Sequence, residues 1–210
     1  MNILKEITRL ITILKFRRKG VELQLGRYAR LKNCKIRNLG KGNKIIIEPG
    51  TRMERCTFTL LASDSIIKIG RNCDFCDMEF HLEHKGNEIV FGDRCGVARN
   101  VQFAACEGTK IIVGNDSVFA HETQVRTTDS HSILDSEGKR INPAQDVIIG
   151  NHVWVGLGVL ILKGSKIADH NIIAAKSLVS SKAPYESNII MAGGPAKKIK
   201  EGINWDIRAL

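Results

Sequence analysis

The sequence predicts a mainly-β protein wound as a parallel β-helix, and three observations carry that prediction. Near the C-terminal end six aliphatic residues stand six apart: Ile149, Val155, Ile161, Ile167, Ile173 and Val179. A period of six is neither helical nor simple alternation; it fits short strands stacked into coils, each burying its apolar residue on the next. Earlier, shorter hexad blocks begin at Leu25, Ile47, Ile69, Phe91 and Val113, each 22 residues after the last. Small residues keep the same frame, with Gly26, Gly70, Gly92 and Gly114 each one place after a block's first apolar residue.

The elements follow in order. Residues 1–20 contain Ile3, Leu4, Ile7, Leu10, Ile11 and Leu14 at helical spacing and end at Arg17-Arg18-Lys19-Gly20, which predicts an amphipathic helix. Lys5, Glu6 and Arg9 interrupt its apolar run, so it is no membrane span, and no long apolar core or small-residue cleavage site marks a signal peptide. A cap over the open end of the β-helix is the first reading. Contact with an anionic membrane is the second.

Residues 21–183 form the β-helix. Its hexad positions are Leu25 and Leu31; Ile47, Met53 and Thr59; Ile69, Phe75 and His81; Phe91, Val97 and Phe103; Val113, Phe119 and Val125. Twenty-two residues per coil is three hexads plus four residues, and the extra residues fit turns such as 40–43, 84–87 and 107–110. The step from Val113 to Ile149 is 36, so a further insertion lies between 126 and 147. It holds Thr127-Thr128-Asp129-Ser130-His131-Ser132, then Asp135, Glu137, Lys139 and Arg140. Loops leaving a rigid scaffold are favoured places for catalytic groups. Residues 184–210 form a tail.

The formal charge of +10 points to an anionic partner. Six basic residues against one Glu in residues 1–20 supply half of it. Nucleic acid is disfavoured, because no aromatic stacking platform or known binding motif accompanies the charge. Cys73 and Cys95 sit four places after Ile69 and Phe91, in the small-residue slot, where packing explains them. Cys73-Asp-Phe-Cys76 has metal-ligand spacing but no second pair nearby, so a zinc role is disfavoured. Reduced thiols in a cytoplasmic protein are expected.

The hexad run, the loop Asp129-Ser130-His131-Ser132-Ile133, the segment Ile149-Gly150-Asn151-His152-Val153-Trp154-Val155-Gly156 and the tail Gly193-Gly194-Pro195-Ala196-Lys197 resemble, in order and spacing, the hexapeptide-repeat acyltransferases. The resemblance covers roughly residues 25–200 and is greatest to the O-acetyltransferases of bacterial surface polysaccharides. It implies a left-handed β-helix, a short C-terminal helix and a homotrimer with active sites in grooves between coils. It also implies acetyl-CoA as donor, with no metal, and a glycan acceptor.

Acetyl transfer from a thioester to a hydroxyl needs a base, and imidazole titrates near the working pH. The resemblance assigns that role to His131, with Asp129 or Asp135 as the carboxylate that would hold its tautomer. His121, two places after Phe119, is the rival. His81 and His84 read as structural or solvated, and His152 and His170 as surface residues. Trp154 fits an interface, or a face stacked on sugar near the acceptor and thioester. Gly156 offers close backbone approach for an oxyanion donor. Gly156 and Ala175 leave room for the pantetheine arm; Ser180, Lys182, Lys197 and Lys200 are the candidates for the phosphate end. The family often has a Thr-Lys pair where this chain has Ser180-Ser181.

Three other functions compete. A small-molecule acetyltransferase would act on a free sugar, amino sugar, serine or xenobiotic. A zinc carbonic anhydrase on the same fold needs three histidines in a spacing this chain does not show. A non-catalytic scaffold would have no need of the His131 loop.

Overall fold

A computed structural model describes residues 3–208, with side chains from residue 6 onward. Ile3 and Leu4 of the expected helix face therefore lie outside the described side chains. One α-helix, α1 (Ile3–Arg18), precedes a solenoid of three sheets, here called faces A, B and C in the order the chain visits them. Face A has seven strands from Glu22–Leu25 to Lys166–Ile167, and face C seven from Lys35–Asn38 to Leu178–Val179. Face B has nine, from Arg30–Lys32 to Lys197–Glu201. Every pairing is parallel except the last.

One inward residue per strand forms a continuous row on each face. On face A the row is Leu25, Ile47, Ile69, Phe91, Val113, Ile149 and Ile167. On face B it is Leu31, Met53, Phe75, Val97, Phe119, Val155, Ile173 and Met191. Both match the hexad frame.

Face C departs from it in the early coils. Its row is Ile36, Phe58, Phe80, Phe103, Val125, Ile161 and Val179. In the first three coils the step from face B to face C is five residues rather than six. A one-residue slip turns each side chain to the other surface. Thr59 and His81, expected inside, thus point outward: Thr59 is covered there and donates to Glu79 (3.0 Å), and the His81 ring lies between Glu79 (3.6 Å) and Glu83 (3.9 Å).

Non-glycine residues in the left-handed conformation turn the corners: Tyr28, Asn72, Arg94, Asp116, His152 and His170 between faces A and B, and Asn33, Arg55, Asp77, Asn100 and Glu122 between B and C. The extra residues of the 22-residue coils all lie at the corner from C to A. The long insertion leaves the same corner, between Gln124–Arg126 and Val147–Ile149.

All seven phenylalanines are buried and form a chain of ring contacts. Phe16 of α1 meets Phe58 edge-on at 5.7 Å, and Phe58 stacks on Phe80 at 5.2 Å. Phe91 lies 4.8 Å from both Phe75 and Phe103, and Phe103 lies 5.2 Å from Phe119. Beyond Phe119 the rows consist of Val and Ile until Met191. Truncating Phe91 would open a cavity flanked by four other rings, so Phe91→Ala is expected to cost about 3–5 kcal/mol in urea unfolding. A loss below about 1 kcal/mol would mean that the interior can close around the gap.

The C-terminal tail corrects the expected short helix: among the described residues 184–208 there is none. Ile189 and Met191 alternate inward, so Ile189–Ala192 continues face B beside Ile172–Ile173. The chain turns at Gly193-Gly194-Pro195, with a cis Gly194–Pro195 bond, and returns as Lys197–Glu201 antiparallel to it.

Candidate functional site

The loop over residues 127–146 is held at both ends and along its length. Thr127 and Thr128 at its foot are buried, and the Thr127 hydroxyl accepts from the Cys106 amide and lies 2.7 Å from the Thr109 hydroxyl. The middle is a small hairpin: Ile141 N–H donates to Ile133 C=O, and the Asp135 carboxylate accepts the Glu137 and Lys139 amides at the tip. Buried Asn142 joins the strands. Its Oδ1 accepts from the Ile133 amide (2.7 Å), and its Nδ2 donates to Asp129 Oδ2 and to the His131 carbonyl (each 2.8 Å).

Two ion pairs tie this hairpin to the solenoid. Arg140 makes a bidentate pair with Glu107 on the preceding coil (2.7 and 2.9 Å). Lys163 on the following coil donates to Asp129 and to the Asn142 carbonyl. The Lys163 hydrogen bond holds the Asp129 carboxyl below its ordinary pKa, and the Arg140 bond does the same for Glu107.

Depressed carboxyl pKa values contribute stability that is present above the unfolded pKa and lost as pH falls through the folded one. The loop should therefore stay anchored through neutrality and loosen only below the ordinary carboxylate range. Arg140→Met leaves Glu107 without its partner. Thermolysin cleavage within the loop is expected to accelerate severalfold at pH 7, the scale of losing one partly exposed pair. Wild-type cleavage kinetics in this variant would show that the pair does not anchor the loop.

His131 projects from this frame with an exposed side chain, and no hydrogen bond to its imidazole occurs among the described residues. Neither expected carboxylate touches it. Asp129 is taken by Lys163 and Asn142, and Asp135 by the hairpin amides. Asn142, through the His131 carbonyl, is what positions the residue.

Trp154 lies elsewhere, on the outer surface of face B, and is 43% exposed. Its ring centroid is 6.0 Å from that of Trp205. Trp205 in turn stacks on His152 at 4.2 Å, and its Nε1–H donates to the His152 carbonyl (2.8 Å). His152 Nδ1 is 3.1 Å from His170 Nδ1. The three faces form a triangular prism, so the C-to-A corner bearing His131 is the vertex opposite face B. Within one chain His131 and Trp154 stand on opposite sides.

The expected cofactor residues also divide. Gly156 and Ala175 adjoin at the corner from B to C, where a Cβ on Gly156 would sit 2.7 Å from the Ala175 nitrogen and 2.8 Å from the Ile173 oxygen. Glycine is thus required there for coil-to-coil contact. The Gly156 N–H already donates to Ile173 C=O (2.8 Å), which removes it as an oxyanion donor. Ser180 and Lys182 follow the last strand of face C, and Lys197 and Lys200 lie exposed on the edge strand of face B.

His121 occupies the B-to-C corner, where its carbonyl accepts from the Gly158 amide. Cys73 is buried, whereas Cys76 lies against Arg55 on the outside (3.0 Å). Among the described residues one group of metal-ligating types is close-set, Glu83, His84 and Cys106, but it contains a single histidine and not the three of a carbonic anhydrase.

Sequence reasoning missed Asn142, Lys163 and Glu107, named Arg140 only as a polar residue of the loop, and missed the cluster of Trp205 with His152 and His170. The last pair had a signal: 152 and 170 are one 18-residue coil apart, at the same corner.

Comparison with known proteins supplies the remaining context. No family model matches the chain. A polysialic acid O-acetyltransferase of Neisseria meningitidis is 34% identical over 148 residues, covering 60% of this chain and 68% of that protein. A galactoside O-acetyltransferase of Lactococcus lactis subsp. lactis is 30% identical over 162 residues, covering 76% and 71%. The crystal structure of the polySia-specific acetyltransferase NeuO superposes with a TM-score of 0.74 at 25% identity, covering 90% of each chain.

Proposed function

The chain belongs to the hexapeptide-repeat acyltransferases, and from that premise we propose that it transfers acetyl from acetyl-CoA to a sugar hydroxyl of a bacterial surface polysaccharide or its precursor, with His131 as general base. The observation that carries the base assignment is the loop: ion pairs above and below it hold the segment that presents His131, whose exposed imidazole has no hydrogen bond among the described residues.

The chemistry balances without a covalent enzyme intermediate. His131 accepts the proton of the acceptor hydroxyl as its oxygen bonds to the thioester carbon. The tetrahedral adduct collapses with cleavage of the C–S bond, and the imidazolium returns the proton to the coenzyme A thiolate. Backbone or side-chain donors other than the Gly156 amide hold the oxyanion. Gly156 and Ala175 line the pantetheine path, and Lys182, Lys197, Lys200 and Ser180 serve the phosphate end.

The opposed placement of His131 and Trp154 favours a ring-shaped homotrimer. In such a ring the loop of one chain lies against face B of the next. Three aliphatic side chains on the hairpin, Ile133, Leu134 and Ile141, are more than half exposed and supply an apolar surface for that contact. Trp154 then flanks the acceptor or the thioester of a site whose base comes from the neighbour.

An acidic acceptor is favoured by the polysialic acid enzyme among the relatives. The test is calorimetry with acetyl-CoA, followed by coenzyme A release with polysialic acid, galactosides and maltose as acceptors. Saturable binding near one site per chain, and release driven by the acidic polymer and weakened by salt, is the expected result. Release with galactosides alone would replace the polysaccharide by a small acceptor. No acetyl-CoA binding would overturn the proposal.

A further inference from the structure

The helix α1 is docked by one face and leaves another bare. Phe16 is buried in the solenoid, Ile13 packs against its core, and Arg9 donates to the Leu25 carbonyl at 2.6 Å. Lys15 donates to the Cys34 carbonyl at 2.9 Å, so the helix crosses the open end of the first coil from one corner toward the next. Away from this docked face stand Ile7, Leu10, Ile11 and Leu14, which are 47%, 54%, 61% and 49% exposed. At helical spacing these four fall within an arc of about 100°. The stripe is therefore extra to the cap, which Phe16 and Ile13 complete without it.

The charge is concentrated at the same end. Residues 1–41 hold 12 of the 32 Lys and Arg and 2 of the 22 Asp and Glu, a net of +10. Residues 42–210 hold 20 of each and sum to zero. Helix α1 and the first coil thus carry the whole net charge, with Arg17 and Arg18 exposed at the end of the stripe.

We propose that this end of the solenoid docks on an anionic lipid surface, with the α1 stripe lying in the interface and the surrounding Lys and Arg on the headgroups. The stripe and the charge require each other's explanation. A soluble polyanion would use the cations and leave four aliphatic side chains in water. A second copy would cover the aliphatics but bring two strongly positive ends together. A lipid surface satisfies both. No helix of the described residues is long and apolar enough to cross a membrane, so the contact is interfacial. The inference is independent of the acetyl-transfer reading.

Flotation of the full chain with phosphatidylcholine vesicles, with and without 30 mol% phosphatidylglycerol, tests it (about 0.1 M salt, where screening is moderate). Wild type is expected to float with the anionic vesicles and at least about tenfold less with the neutral ones. Leu10→Ser/Ile11→Ser should lower anionic binding roughly tenfold, with melting temperature and oligomeric state unchanged. Arg17→Gln/Arg18→Gln should reduce the preference for anionic lipid.

Absence of wild-type flotation would overturn the proposal. So would serine-variant binding equal to wild type, which would reduce the contact to bare electrostatics. A smaller oligomer in the serine variant would assign the stripe to a second copy instead.

Discussion

His131→Ala is expected to lower turnover at least ~10²-fold while acetyl-CoA affinity stays at the wild-type value. The loop that carries His131 is held by the His131 carbonyl, by Asn142, and by the Glu107–Arg140 and Lys163–Asp129 pairs. None of these uses the imidazole. The substitution therefore removes the proton acceptor and leaves the frame, which separates a chemical loss from a structural one. His121→Ala is the matched control, since His121 lies at a different corner of the prism and, among the described residues, hydrogen-bonds through its backbone carbonyl alone. Single-turnover acetyl transfer together with acetyl-CoA calorimetry reads both quantities. Full activity in His131→Ala, with loss in His121→Ala, would move the base to the B-to-C corner.

Mixing two inactive chains should restore activity. If each site takes its base from one chain and its tryptophan from the next, a trimer of His131→Ala chains has no working site, and neither has one of Trp154→Ala chains. Co-refolded at equal amounts, a site works when a chain with intact His131 precedes one with intact Trp154. Random assembly in a closed ring makes that about one site in four. Activity near a quarter of wild type, from parents that are each nearly silent, is the expected reading. If His131 and Trp154 of one chain served the same site, no mixture would exceed its parents. An active Trp154→Ala parent would show instead that this side chain is dispensable.

The parts of the fold that the sequence made legible are those governed by stacking. Inward rows on faces A and B repeat a residue type at fixed intervals, because each residue lies on its counterpart in the next coil. Face C misled for two coils, where five residues rather than six separate Met53 from Phe58 and Phe75 from Phe80. Apolar Phe beside polar Thr59 and His81 was the available clue.

The insertion showed itself as a gap in the rhythm. Its anchors did not, since Glu107 and Arg140 are far apart in sequence and ordinary in type. Motif order pointed to His131 and Trp154, but their opposed placement emerges only once strands are assigned to faces. At the tail, alternating Ile189 and Met191 had the period of a strand, and that local pattern outweighs the family expectation of a helix.

The run of phenylalanine that ends at Phe119 gives the solenoid a polarity. In a stack where each coil leans only on its neighbours, stability is a sum of local terms and the weaker stretch opens first. Coils after Phe119 bury smaller aliphatic side chains, so they hold less apolar area per rung than those before it. Unravelling would start at the tail and travel toward the loop, reaching the rung of Trp154 while the half beneath His131 stays wound. Heat would then silence the molecule well before it unfolds it, and amide exchange along the chain would fall from the tail toward Phe91 as a ramp rather than a step.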